Sequence, residues 1–125
     1  MQDISGLPRE GQQLINSYGD EGFRVSGVRY DGSVLVMPEE TRPWPIEDID
    51  QLTLESLSEL IAASEDIEIL LIGCGTSMAF IEEDIRTALR DKGIVIDAMG
   101  TGPAVRTYNV LLLERRKVAA ALIAV

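Results

Sequence analysis

This chain of 125 residues contains no histidine. That removes the commonest general base, the commonest metal ligand and every histidine-containing catalytic triad. Zinc and copper lose their nitrogen ligands, and the single cysteine, Cys74, cannot replace them with a sulfur set. One cysteine also excludes an internal disulfide framework and points to a reducing compartment. No apolar run approaches the roughly 18 residues of a membrane-spanning helix. No basic segment followed by an apolar stretch marks a secretory leader. These absences predict a cytoplasmic protein with no membrane span, no metal and no cofactor, and they weigh against an enzyme.

What is present suits a folded domain. Hydrophobic residues make up 46% of the chain, enough for a core at this length. No internal repeat or dividing linker is visible, so residues 1–125 read as one domain, with 1–13 an extended arm rich in Gly, Pro, Gln and charge. The net charge of −10 is unevenly placed. Residues 93–125 hold Arg106, Arg115, Arg116 and Lys117 against Asp97 and Glu114, a balance of +2, which leaves −12 on residues 1–92. Between Glu39 and Glu68, ten acids face only Arg42. Such a field repels a phosphate backbone, so nucleic acid is not an expected partner. It reads as a solvated acidic face, with a docking surface for a basic partner as the alternative.

Periodicity divides the chain. Leu14 to Tyr18 reads as a short strand closed by Gly19-Asp20-Glu21-Gly22. Phe23–Tyr30 and Ser33–Met37 read as a hairpin turned at Asp31-Gly32, with a bulge at Gly27 where the alternation slips. Trp44, held between Pro43 and Pro45, reads as a lid on the core. Leu54, Leu57, Leu60 and Ile61 recur at helical spacing behind a Thr53 cap. Ile67–Ile72 is a strand buried on both faces, turned by Gly73-Cys74-Gly75-Thr76-Ser77 into a helix carrying Ile81, Ile85 and Leu89. A strand over Ile94–Met99, a helix from Pro103 to about Glu114 and a strand over Val118–Val125 complete the order. Strand-helix-strand-helix-strand with short links requires a right-handed βαβ crossover in a central sheet.

Two neighbouring segments could carry chemistry. Gly73-Cys74-Gly75 follows a strand, but Met78 stands where a dinucleotide fingerprint needs its third glycine, although Asp97 sits where a ribose-binding acid would. The Walker phosphate-loop pattern is absent. Cys74, placed near a helix start, reads as a small apolar side chain in a crowded turn, with no base to activate it. Thr101, Arg106, Thr107 and Asn109 form the densest polar group beside apolar elements. They would bind an anion at the helix start. Alternatively they are structural, with Thr101 or Gly102 capping the helix, Arg106 bonding carbonyls at strand ends and Asn109 bracing a neighbouring loop. Gly73, Cys74, Gly75, Thr101, Arg106, Thr107 and Asn109 are therefore the candidate binding residues, across a cleft between two strand ends.

Gly22-Phe23-Arg24-Val25-Ser26-Gly27, Leu70-Leu71-Ile72-Gly73-Cys74-Gly75, Ala104-Val105-Arg106-Thr107-Tyr108-Asn109 and Val118-Ala119-Ala120-Ala121-Leu122 together make the sequence recognisable. It closely resembles the small Mth938-like α/β family of bacterial and archaeal proteins, whose eukaryotic relatives include a mitochondrial respiratory complex I assembly factor. The resemblance implies a three-layer α/β domain, its central mixed sheet built on a βαβαβ half, with an N-terminal β-hairpin layer. It brings no established catalytic activity. Two departures stand out: Cys74 where the family more often has threonine, and Glu114-Arg115-Arg116 where a glycine usually sits. The expected function is non-catalytic, assisting assembly of a membrane-associated, respiratory-type complex through protein partners, with a homodimer left open. The alternative is a small-molecule or anion-binding protein, or an enzyme, using the cleft.

Overall fold

The computed structural model describes residues 11–125, so most of the expected N-terminal arm lies outside the described residues. Alternating apolar residues build a three-stranded antiparallel sheet from β1 (Ile15–Gly19), β2 (Gly22–Val25) and β3 (Val28–Asp31), ordered β1-β2-β3. Phe23 and Val25 point into the core from β2, while Arg24 between them is exposed. Asp20 and Glu21, with φ of 52° and 60°, make the first tight turn, and Ser26 and Gly27, with φ of 48° and 82°, make the second. Both pairs have the left-handed conformations that match the twist of a two-residue hairpin.

The hairpin expected at Asp31-Gly32 is therefore displaced. Gly27 is the turn itself and no bulge, and Phe23–Tyr30 folds back on itself as β2 and β3. Gly32, with φ of 86°, instead links the small sheet to a second one. The alternation slips near Gly27 because the chain reverses there, a pattern that a bulge would also produce.

The second sheet has five strands in the order β5-β4-β8-β6-β7. They are β4 (Val34–Val36), β5 (Thr41–Pro43), β6 (Ile69–Gly73), β7 (Val95–Met99) and β8 (Val118–Leu122). β6, β7 and β8 run parallel, whereas β4 is antiparallel to both β5 and β8, so the sheet is mixed. The short edge strand β5 carries no apolar periodicity and has no counterpart in the sequence reading.

Helices cover both faces. α1 (Ser58–Ala62), preceded by a 3-10 turn over Glu55–Leu57, and α2 (Glu83–Arg90) cover one side with Leu57, Leu60, Ile85 and Leu89, against Leu70, Ile72, Ala119 and Ala121. Trp44 closes this core as expected, its Nε1 donating to the Ser56 carbonyl at 2.8 Å. α3 (Thr101–Leu113) covers the other side with Ala104, Val105, Tyr108 and Leu112, against Leu71, Ala120 and Leu122. The small sheet adds Ile15, Phe23 and Val25 to that second core. All five residues of β8 are buried, since its neighbours β4 and β6 and both helical layers enclose it. Its alanines leave room for the larger side chains facing them.

One boundary differs in a way that bears on function. The helix expected directly after Gly73-Cys74-Gly75-Thr76-Ser77 begins only at Glu83, where Glu83 and Asp84 meet the positive end of the helix. Residues 76–82 form an irregular loop, so Cys74 is not at a helix start.

Candidate functional site

β6 feeds α2 on one face of the sheet, and its neighbour β7 feeds α3 on the other. Adjacent strands whose connections leave in opposite directions open a crevice at their carboxyl ends, where α/β folds bind ligands. The two strand ends do lie side by side here: Gly73 pairs with Met99.

They are also stitched together. The Cys74 amide donates to the Met99 carbonyl at 2.8 Å, and the Thr101 amide donates to the Gly75 carbonyl at 2.8 Å. Thr101 is fully buried; its Oγ1 accepts from the Gly75 amide at 3.0 Å and donates to the Ile123 carbonyl at 2.7 Å. One hydroxyl thus ties the ends of β6, β7 and β8. A side chain at Gly73 would sit 2.9 Å from Leu122 and 3.0 Å from Thr101, so this glycine is required by close approach. The expected capping by Thr101 or Gly102 does not occur. Gly100 is the N-cap, with no side-chain cap bond, and the strand-end carbonyl of Gly75 takes up the first free helix amide instead.

Farther along α3, the side chains part in direction. Asn109 reaches β1, accepting from the Ile15 amide at 3.0 Å and donating to the Ile15 carbonyl at 2.8 Å. Tyr108 is fully buried and donates to the Gln13 carbonyl at 2.7 Å, and burial pushes its pKa well above the ordinary tyrosine value. Thr107 meets the Met99 sulfur at 3.7 Å. Arg106 is exposed and makes no hydrogen bond or ion pair among the described residues, so the expected bonds to strand-end carbonyls are not formed. The helix turns Val105, Tyr108 and Leu112 toward the sheet and carries Arg106 away from it.

Cys74 is buried, its Sγ 3.7 Å from the Ile72 carbonyl. Burial raises its thiol pKa, against smaller opposing effects from backbone amides and Arg86. It is a thiol held neutral, the opposite of an activated nucleophile. Thr101, Cys74, Gly73 and Gly75 are therefore brought together, Asn109 faces the small sheet, and Arg106 stands apart in solvent.

Open concavities lie elsewhere. One of ≈ 410 Å³ is bordered by Asp20, Glu21, Asp31 and Glu47, and no group of residues suited to a metal ion occurs among the described residues. Another of ≈ 270 Å³ lies beside the loop that carries Met78 and Phe80. Sequence reasoning passed over that loop. Phe80, apolar but out of helical step with Ile81 and Ile85, was the available signal.

Comparison with known proteins agrees with the geometry. Residues 15–123 match the family described as "Protein of unknown function (DUF498/DUF598)". A Xenopus tropicalis protein named NADH dehydrogenase [ubiquinone] 1 alpha subcomplex assembly factor 3 is 35% identical over 96% of this chain. The match takes in 67% of that longer relative, so the chain spans about two thirds of its length. A solved structure from Bartonella henselae, described as an outer membrane protein, is 39% identical with a TM-score of 0.85, covering 91% of this chain and 96% of the other. Another, a Mth938-like domain from Bordetella pertussis, is 25% identical with a TM-score of 0.82, covering 98% of this chain and 90% of the other. No helix among the described residues is long and apolar enough to cross a membrane. The two solved structures share the overall fold of this mixed five-stranded sheet with its helical layers and small antiparallel sheet, and the chain belongs to the DUF498/DUF598 family of Mth938-like α/β proteins.

Proposed function

We propose that this protein acts without catalysis, in the cytoplasm and as one domain, by holding protein partners during assembly of a membrane-bound NADH dehydrogenase or a similar respiratory complex. The observation that carries the reading is its 35% identity, over nearly its whole length, to a protein named as an assembly factor for that enzyme. The chemistry of the sheet edge supports it. Thr101 and Asn109 are committed to backbone groups of the chain itself, and Cys74 is held as a neutral thiol. No residue there is poised to attack or to move a proton.

Deletion of the gene in the producing organism tests this. Native gels of its membranes should lose fully assembled NADH dehydrogenase and gain a smaller intermediate, which co-purifies with the tagged protein. Normal assembly in the deletion strain would remove the reading.

A second reading rests on Arg106. Its guanidinium, without a bond among the described residues, lies near Gly102, and the Tyr18 hydroxyl crowds the same glycine. Together they could receive an anion at the first turn of α3. Titration with inorganic phosphate should then give saturable binding that Arg106→Ala abolishes.

A further inference from the structure

The loop between β6 and α2 displays the two most exposed large apolar side chains among the described residues, Met78 at 71% and Phe80 at 84%. Their exposure is built in. Ala79 is half-buried against the core and Ile81 is buried in it, so alternate residues anchor the loop and turn Met78 and Phe80 outward. Beside Phe80 runs the groove of ≈ 270 Å³, lined with Ile49, Leu52 and Ile85 and edged by Asp50 and Glu82.

Charge flanks this apolar centre. Asp50 and Glu82 edge the groove from two separate segments, with Glu47 and Asp48 just before the first in the chain and Glu83 and Asp84 just after the second. Among the described residues, only Glu83 of these six forms an ion pair, with Arg90 at 3.7 Å. Arg86, on the same helix, is occupied by the Ile96 carbonyl at 3.1 Å. A water-excluding centre with a charged rim is how protein interfaces are arranged. Here the rim has one sign, which selects a partner of the other sign and disfavours anionic lipid or the same face of a second copy.

We propose that the Met78–Phe80 loop and the adjoining groove dock a protein segment that presents an apolar side chain between lysines or arginines. The proposal deepens the assembly reading, on which it rests for the partner being a protein. Phe80 is the anchor beside the groove, Met78 adapts its flexible thioether to the occupant, and the carboxylates set register and speed of encounter.

The test replaces Phe80 in the full chain by photoreactive p-benzoylphenylalanine, with the same replacement at exposed Val110 on α3 as control. Cross-links formed in cells are mapped to their residues. Position 80 should couple to a segment with an apolar residue flanked by basic ones, and Val110 should not. The double variant Met78→Ser/Phe80→Ser should retain wild-type melting and lose about tenfold in co-purification of that protein. Asp50→Lys/Glu82→Lys, which leaves Phe80 in place, should weaken capture and blunt its salt dependence between about 0.05 and 0.5 M. Cross-links to lipid, to a second copy or to an acidic segment, or none above control, would overturn the proposal. So would capture unchanged in both double variants. If capture is unchanged while respiratory subunits still co-purify, the assembly reading stands and this surface falls. If a basic segment of an unrelated protein is captured, the surface stands and the assembly reading falls.

Discussion

Two strand-to-helix connections leave the same edge of the central sheet, and they are built in opposite ways. β7 ends at Met99 and α3 starts at Thr101, with only Gly100 between them. β6 ends at Gly73, and α2 does not start until Glu83. In the short connection, hydrogen bonds to strand ends occupy the amide and hydroxyl of Thr101, and Asn109 and Tyr108 tie down the chain that enters the small sheet. In the long connection two large apolar side chains face solvent beside Asp50 and Glu82, which form no ion pair among the described residues. A short link at a switch point brings the backbones near enough to bond across the strand ends. A long link leaves surface available to another molecule. The most recognisable stretch of this sequence is thus a clasp, and the less recognisable one is the open surface.

The comparison breaks first if the clasp can be removed without cost. Thr101→Val keeps the shape and deletes the hydroxyl, leaving the half-buried Gly75 amide and the buried Ile123 carbonyl without their partner. Unpaired buried groups cost about 1–3 kcal/mol each, so a loss of about 2–4 kcal/mol is expected in denaturant melts. Thr101→Ser should restore most of it. A Thr101→Val protein as stable as the wild type would show that the strand ends hold without this hydroxyl.

Asn109→Ala is expected to follow at about 2–3 kcal/mol, since both backbone groups of Ile15 lose their partner. Its signature is local. Hydrogen exchange should rise in β1 and β2 and remain low in β6 and β8. Uniform loss of protection would mean that the small sheet and the central sheet unfold as one unit, and the clasp would then be global.

Much of this was legible in the sequence. The βαβαβ order follows from the apolar runs at Ile67–Ile72, Ile94–Met99 and Val118–Val125, whose lengths leave little choice of element. The inward face of α3 follows from the spacing of Val105, Tyr108 and Leu112. Two features were not legible. The turn at Ser26-Gly27 looked like a bulge because a chain reversal and an inserted residue perturb the alternation alike. The fate of the polar cluster was open because sequence gives spacing on one helix, while its partners lie far away in the chain: Ile15 for Asn109 and Ile123 for Thr101. Even the family resemblance, which identified the fold, could not tell a clasp from a binding site.

Tyr108→Phe sharpens the comparison through pH. The lost hydrogen bond to the Gln13 carbonyl should cost about 1 kcal/mol at neutral pH. Burial holds the folded tyrosine protonated above 10.0, its ordinary value. The unfolded chain therefore ionises first as pH rises, so this contribution to stability is complete below about pH 10 and falls above it. The phenylalanine variant lacks that loss. The gap between the two proteins should narrow in melts run from pH 8 to 11, at about two or three intermediate values. A gap that widens with pH would mean that Tyr108 ionises more readily in the fold, against its burial.

The smallest effect is expected at Arg106, which lies in the clasp's sequence but not in its bonding. Its neighbours Thr107 and Asn109 have partners, whereas the guanidinium is exposed and makes no bond among the described residues. Surface changes away from packed or bonded groups usually move stability by no more than about 0.5 kcal/mol. Arg106→Ala and Arg106→Lys should therefore both melt within that margin. Lysine keeps the charge and loses the planar fork, so the pair separates two ways of being wrong. If alanine falls by several degrees and lysine does not, the charge itself acts on the fold. If both fall, the fork is bonded, and Arg106 belongs to the clasp with Thr101 and Asn109. If neither falls, Arg106 is free to serve a ligand, and phosphate titration of the same variants measures whether it does.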